Sequence, residues 1–183
     1  MPNRYTTAAC VLMLAALLFV MPAAPVKAFA WSSSDLVGYG TEDFLTVTPS
    51  WTVNGDIYTY TYLLNNTTPH RSIETFDLTM PDVVKVGDLD GFSGPAGWVL
   101  TVRTDFNQLD WMVDTGVALA PGESTAFQFT TKFGPSYTKD VVAAAHNGLG
   151  FSGDTFGPIP EPGSLAALCC GLVSLVGLKL RRE

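Results

Sequence analysis

The chain contains two histidines, His70 and His146. His70 sits in a turn, Thr68-Pro69-His70-Arg71, and His146 ends an apolar stretch before Asn147-Gly148. Hydrolysis by a Ser-His-Asp set needs a serine on a positioning turn beside its base. No G-x-S-x-G occurs, and Gly91-Phe92-Ser93-Gly94 is one residue too tight. Neither histidine has the spacing of a metal ligand. These residues therefore argue for a protein that is not an enzyme and has no catalytic set.

The carboxylates offer one further candidate. Asp88-Leu89-Asp90-Gly91 is similar to part of a calcium loop, where alternating carboxylates before a glycine turn converge on a hard cation. The third acidic position and the distal glutamate are missing, so Asp82 and Asp105 would have to complete the site in space. The plainer reading of Asp88 and Asp90 is a solvated Asp-Gly turn, with no cofactor. A hydrolase built on the same pair would need its carboxylates set across a cleft.

Trp51, Trp98 and Trp111 with Tyr58, Tyr60 and Tyr62 form the richest aromatic set. Exposed on a sheet, they would stack on sugar rings and make a carbohydrate-binding module. All but Trp51 fall on alternating positions assigned to a core, so packing accounts for them better. Asn65-Asn66-Thr67-Thr68 holds two overlapping N-x-Thr sequons, read here as turn residues after a strand.

Positioning these groups requires strands. Residues 45–53 and 56–64 flank Asn54-Gly55, the signal for a tight type I′ hairpin turn. Tyr58, Tyr60 and Tyr62 share one face of the second segment, opposite Thr59 and Thr61. Phe76, Leu78 and Met80 align before Pro81. Trp98, Leu100 and Val102 alternate with Val99, Thr101 and Arg103, and Leu109, Trp111 and Val113 with Asp110, Met112 and Asp114. Phe127 and Phe129 lie on one face of a strand that follows Pro121-Gly122. Residues 137–145 make a late strand, with a helix as the alternative for 139–146. Residues 82–96 are the longest irregular stretch. The expectation is an all-β domain over residues 31–156, an antiparallel β-sandwich of about seven to eight strands.

Charge is unevenly placed. Between Trp31 and Pro162 five basic residues face sixteen acidic ones, a net of −11, and the other five basic residues lie at the two ends. An acidic middle without a Lys/Arg cluster argues against a nucleic-acid partner, since nothing would neutralise phosphates. The cysteines are Cys10, Cys169 and Cys170, so the middle has no disulfide framework and no thiolate metal site.

The two ends are apolar. Arg4, an apolar stretch at 8–21, Pro22 and Pro25, then Ala28-Phe29-Ala30 follow the order of a secretory signal peptide over residues 1–30. Ala30 is the first choice for the signal-peptidase cut and Ala28 the alternative. A retained membrane anchor would need a longer run. At the other end, 157–163 is a Pro/Gly spacer that prolines keep extended. An uncharged stretch at 164–178 follows, with Lys179, Arg181 and Arg182 after it. It is short for a bilayer, and the basic cluster stops transfer and stays cytoplasmic. The alternative is a permanent single-pass anchor on a stalk.

Residues 160–183 resemble the PEP-CTERM sorting signal of Gram-negative bacteria that make exopolysaccharide. The triplet Pro160-Glu161-Pro162, a Leu/Gly/Ala-rich stretch with Gly171 and Gly177, and the basic cluster carry the resemblance. The chain departs from it in ending on Glu183 and in holding Cys169-Cys170, which read as apolar filler. The resemblance implies an exosortase in the inner membrane that recognises Pro160, Glu161 and Pro162 and removes the tail. It implies a membrane-anchored precursor, then a protein at the cell surface or outside the cell, with exopolysaccharide as a candidate partner. The middle also loosely resembles ectodomains that accompany such tails, through Asn65-Asn66, Gly97-Trp98 and Ala120-Pro121-Gly122-Glu123-Ser124. That likeness implies no activity; the tail, the signal peptide and the missing catalytic set together lead to the expectation of a structural or adhesive role.

Overall fold

A computed structural model describes residues 28–146 and 150–159. Among them are thirteen strands. They are β1 (Ala28–Ala30), β2 (Ser34–Gly38), β3 (Phe44–Asn54), β4 (Ile57–Asn65), β5 (Thr75–Thr79), β6 (Asp90–Ser93) and β7 (Trp98–Arg103), and then β8 (Gln108–Val113), β9 (Ser124–Thr131), β10 (Gly134–Pro135), β11 (Val141–His146), β12 (Gly150–Thr155) and β13 (Pro158–Ile159).

The described residues are all-β and antiparallel, as their alternation implies. One ladder runs β6-β9-β4-β3-β2-β12-β11-β5-β8-β7, with β1 beside β2 on the same edge of β3. A separate ribbon pairs β10 with β13. The ladder rolls over until its ends meet. Phe127 of β9 lies 4.5 Å from Phe76 of β5, 5.3 Å from Trp111 of β8 and 5.4 Å from Trp98 of β7, ring centre to ring centre. The result is a near-barrel made from one sheet, with more strands than the seven or eight expected. The core lies inside the roll, and Tyr60, Tyr62, Phe76, Trp111, Phe127, Phe129 and Phe151 are its largest buried side chains.

Several elements depart from expectation. The β3–β4 turn is shifted by one residue: Asn54 pairs with Ile57, so Gly55 and Asp56 form the loop. Gly55 has φ 65° and Asp56 does not share a positive φ, which is the II′ pattern and not I′. Residues 82–96 are less irregular than they read. A 3-10 turn at Val86–Asp88 and β6 lie within them, and Val84, Val86 and Leu89 are buried. Residues 141–146 form a strand and not a helix, because β11 is paired on both sides, to β12 and to β5. β2 and β12, central in the ladder, carry too few apolar residues to stand out in the sequence. Trp51, set apart from the core on alternation, also packs against it. The expected signal and membrane helices fall mainly on residues 1–27 and 164–183, outside the described residues. Among the described residues no helix is long and apolar enough to cross a membrane.

Two asparagines fasten the loops. Asn66 is buried, donating from Nδ2 to the carbonyls of Arg71 (2.6 Å) and Leu119 (2.8 Å) and accepting from Thr68 at Oδ1. Its sequon is thus a folded turn. Asn107 has φ 53°, the one non-glycine residue with positive φ among the described residues. Its Nδ2 reaches the carbonyls of Met80 (3.1 Å), Pro81 (3.2 Å) and Val84 (2.7 Å), while Oδ1 accepts from the Val86 amide at 3.0 Å. Alanine there would lose these bonds and oppose the backbone. Asn107→Ala should therefore cost on the order of 2–4 kcal/mol in urea unfolding. A loss below about 0.5 kcal/mol would mean that the 80–86 loop is held by other contacts.

Candidate functional site

The carboxylates proposed for calcium do not assemble a metal centre. Asp88 closes the 3-10 turn and Asp90 opens β6, both exposed. They line a cavity of about 290 Å³ together with Thr130, Lys132 and Phe133. The lysine brings the wrong charge for a cation. Asp82 and Asp105 do not join them: among the described residues no three His, Cys, Asp or Glu side chains converge to hold a metal ion. His70 is exposed in its turn.

The structure brings together a different set. In β5, Phe76 and Leu78 point into the core, so Asp77 points out of the roll. The ladder places Asp110 of β8 directly opposite it. On the other side, His146 of β11 reaches in, with Nε2 3.0 Å from Asp77 Oδ2. Arg103 of β7 stands 3.6 Å from Asp110 Oδ2. Although it faces outward, Asp77 is only 7% exposed, and its Oδ1 is buried with no hydrogen-bond partner of ordinary geometry.

Two carboxylates facing each other across a ladder repel when both are ionised. Burial pushes the Asp77 carboxyl up to about 8, helped by the facing Asp110 carboxyl, while Arg103 pulls the other way. The facing pair Asp77 and Asp110 therefore holds a proton to higher pH than a free carboxyl would. A carboxyl, a carboxylate and an imidazole can move protons, but catalysis also needs a substrate held across a cleft. The cavities at Asp88 and at Trp98 are not lined by these residues. Sequence reasoning noted His146 without its partners. Asp77 and Asp110 each looked like an ordinary outward position, and only the β5–β8 register joins them.

The aromatic set divides three ways. Tyr60, Tyr62 and Trp111 are core, and Tyr58 packs half-buried against it. The Tyr60 hydroxyl donates to the Phe133 carbonyl and the Tyr62 hydroxyl to the Phe156 carbonyl, each at 3.1 Å, and burial pushes both hydroxyls well above the usual tyrosine range. Trp98 is half-buried and lines a cavity of about 570 Å³ with Val117, Glu123 and Ser124, its Nε1 donating to the Val117 carbonyl at 3.3 Å. Trp51 belongs to an aromatic group at the opposite end of the roll.

The expected cleavage residues Ala28 and Ala30 lie in β1 and are exposed. Phe29 between them stacks on Trp51 at 5.3 Å, and the Trp31 amide donates to the Pro49 carbonyl at 3.0 Å. Pro160, Glu161, Pro162, Lys179, Arg181 and Arg182 lie outside the described residues.

No protein-family model matches the chain, and no curated protein matches it. Among solved structures the chain is similar to the KRT10-binding region domain of the pneumococcal serine rich repeat protein PsrP. The TM-score is 0.36 and the identity 11%, over 71% of this chain and 89% of that one. At that TM-score the likeness carries no argument about fold detail or function.

The Asp77 cluster has a pH consequence. An acid raised from 3.8 to about 8 on folding keeps its full stabilising share below the unfolded value and loses it as pH climbs through the folded one. Wild-type stability should fall between pH 5 and 9. Asp77→Asn, which imitates the protonated acid, should flatten that decline and exceed wild type at pH 9 by on the order of 1–3 kcal/mol. Parallel melting curves would refute the shared proton.

Proposed function

We propose that this is an exported protein sorted by a PEP-CTERM tail to the cell surface or extracellular matrix, where its β domain has a structural or adhesive role and catalyses no reaction. On this reading residues 1–30 are a cleaved signal peptide and the rolled sheet is the sandwich-type ectodomain. Residues 164–183 are a membrane-spanning tail, and signal peptidase and an exosortase are the processing partners. One observation carries the reading: Pro160-Glu161-Pro162, an uncharged apolar run and Lys179, Arg181 and Arg182 follow in order, in a chain that also has an export signal. The position of the fold is consistent with it. The last described strand, β13, reaches Ile159, and in sequence the triplet begins at the next residue.

The half-buried Trp98 beside its cavity favours a second reading, a carbohydrate-binding module. An indole face next to Glu123 and Ser124 is suited to a sugar ring and its hydroxyls.

Glu161→Gln separates the sorting tail from a plain anchor. In the producing bacterium, the variant should lose its signal peptide normally and accumulate in the membrane with its tail attached. Release or surface attachment at the wild-type rate would remove the exosortase reading and leave the permanent anchor.

A further inference from the structure

Both ends of the described fold leave from the same pole. β1 runs antiparallel to β3, and Ala28 pairs with Thr52, next to the β3–β4 hairpin tip. At the other end of the chain, Ile159 pairs with Gly134. Gly134 follows the end of β9, where Thr131 pairs with Tyr58, the second residue of β4. Ala28 and Ile159 therefore both lie at the hairpin end of the roll. From there the sequence continues in one direction into the apolar run at 8–21 and in the other into that at 164–178.

That pole is aromatic. Trp31 packs edge-on against Trp51 at 4.5 Å and against Phe156 at 4.3 Å, and Phe29 stacks on the outer side of this group with 47% of its surface exposed. Tyr137 stands nearby with 92% exposed, in the loop whose Ser136 amide bonds the Gly157 carbonyl. Lys139 places its Nζ 5.7 Å from the Phe156 ring centre. Lys132 and Lys139 stand at this end among Asp56, Asp88, Asp90 and Asp140, with Lys139 against the aromatic group and Asp88 and Asp90 in the cavity beside Lys132. Half-wet tryptophans and a tyrosine with lysines among them are the side chains that settle at the headgroup level of a bilayer.

We propose that the pole formed by Trp31, Trp51, Tyr137, Lys139 and Phe156 rests on the lipid headgroups of the membrane that anchors the precursor. The proposal builds on the sorting-tail reading, which supplies the bilayer. The domain then stands with its hairpin end down and with Trp98 at the far end, beside Ser124, whose partner Asn65 closes β4.

The four tryptophans make the test direct, because Trp31, Trp51, Trp98 and Trp111 are all in the domain and none is in either apolar run. Trp111 is buried to 1% and shielded. The full chain is reconstituted into phosphatidylethanolamine–phosphatidylglycerol vesicles containing a headgroup-nitroxide lipid, and tryptophan quenching is read. Quenching should persist in Trp98→Phe, where only Trp31 and Trp51 remain accessible, and should fall at least threefold in Trp31→Phe/Trp51→Phe. A chain that floats with the vesicles but shows no quenching overturns the inference and leaves the anchor standing. Quenching lost in Trp98→Phe instead would put the opposite pole down. Emission that responds to added soluble exopolysaccharide and not to the nitroxide would make the pole a glycan surface, contrary to the inference. A chain that does not float overturns the anchor and the inference together.

Discussion

The fold depends on one closure: Phe127, near one end of a ten-strand ladder, wedged against Phe76, Trp98 and Trp111 at the other end. A single antiparallel sheet has an inner face to bury and two edges to protect. Rolling it until these rings meet achieves both to a large degree. Nothing covalent assists, because no cysteine lies between residues 28 and 159. The stability of the roll must come from apolar burial, at about 2–3 kcal/mol for each aromatic or aliphatic side chain removed from water. The closure also sets the outer face in register. Asp77, Asp110 and His146 meet because β5, β8 and β11 are neighbours in the rolled sheet.

The inward pattern was largely legible from alternation. Tyr60 and Tyr62, Phe76 and Leu78, Leu109 and Trp111, and Phe127 and Phe129 all bury the face their spacing assigns. The parts that were not legible have specific causes. β12 reads Gly-Phe-Ser-Gly-Asp-Thr and contributes only Phe151 and Thr155 as buried side chains, and Gly153 sits where a Cβ would meet the Asp35 carbonyl at 2.4 Å. Close backbone approach selects small residues there, which erases the strand signal. β2 has the same brevity. The irregular look of 82–96 reflects a loop held by Asn107, a residue far along the chain whose positive φ no periodicity announces.

The candidate sites were less legible than the fold, because they rest on pairing across strands. Asp88 and Asp90 were conspicuous in sequence and lie beside a lysine. Asp77 was inconspicuous and has the most perturbed carboxyl among the described residues. The aromatic pole was also hidden. Trp31 and Phe156 are far apart in the chain, and only the joint arrival of β1 and β13 at the hairpin end brings them together. That arrangement brings the first and last described strands to one end of the roll, opposite Trp98.

The central claim concerns processing at both ends of the domain, and the intact mass of the mature protein tests it most directly. Isolated from the surface or culture medium of the producing bacterium, it should begin at Trp31, or at Phe29 for the alternative cut, and lack the apolar run and basic cluster after the Pro160-Glu161-Pro162 segment. A mature species that still carries residues 164–183 in the membrane would contradict the account.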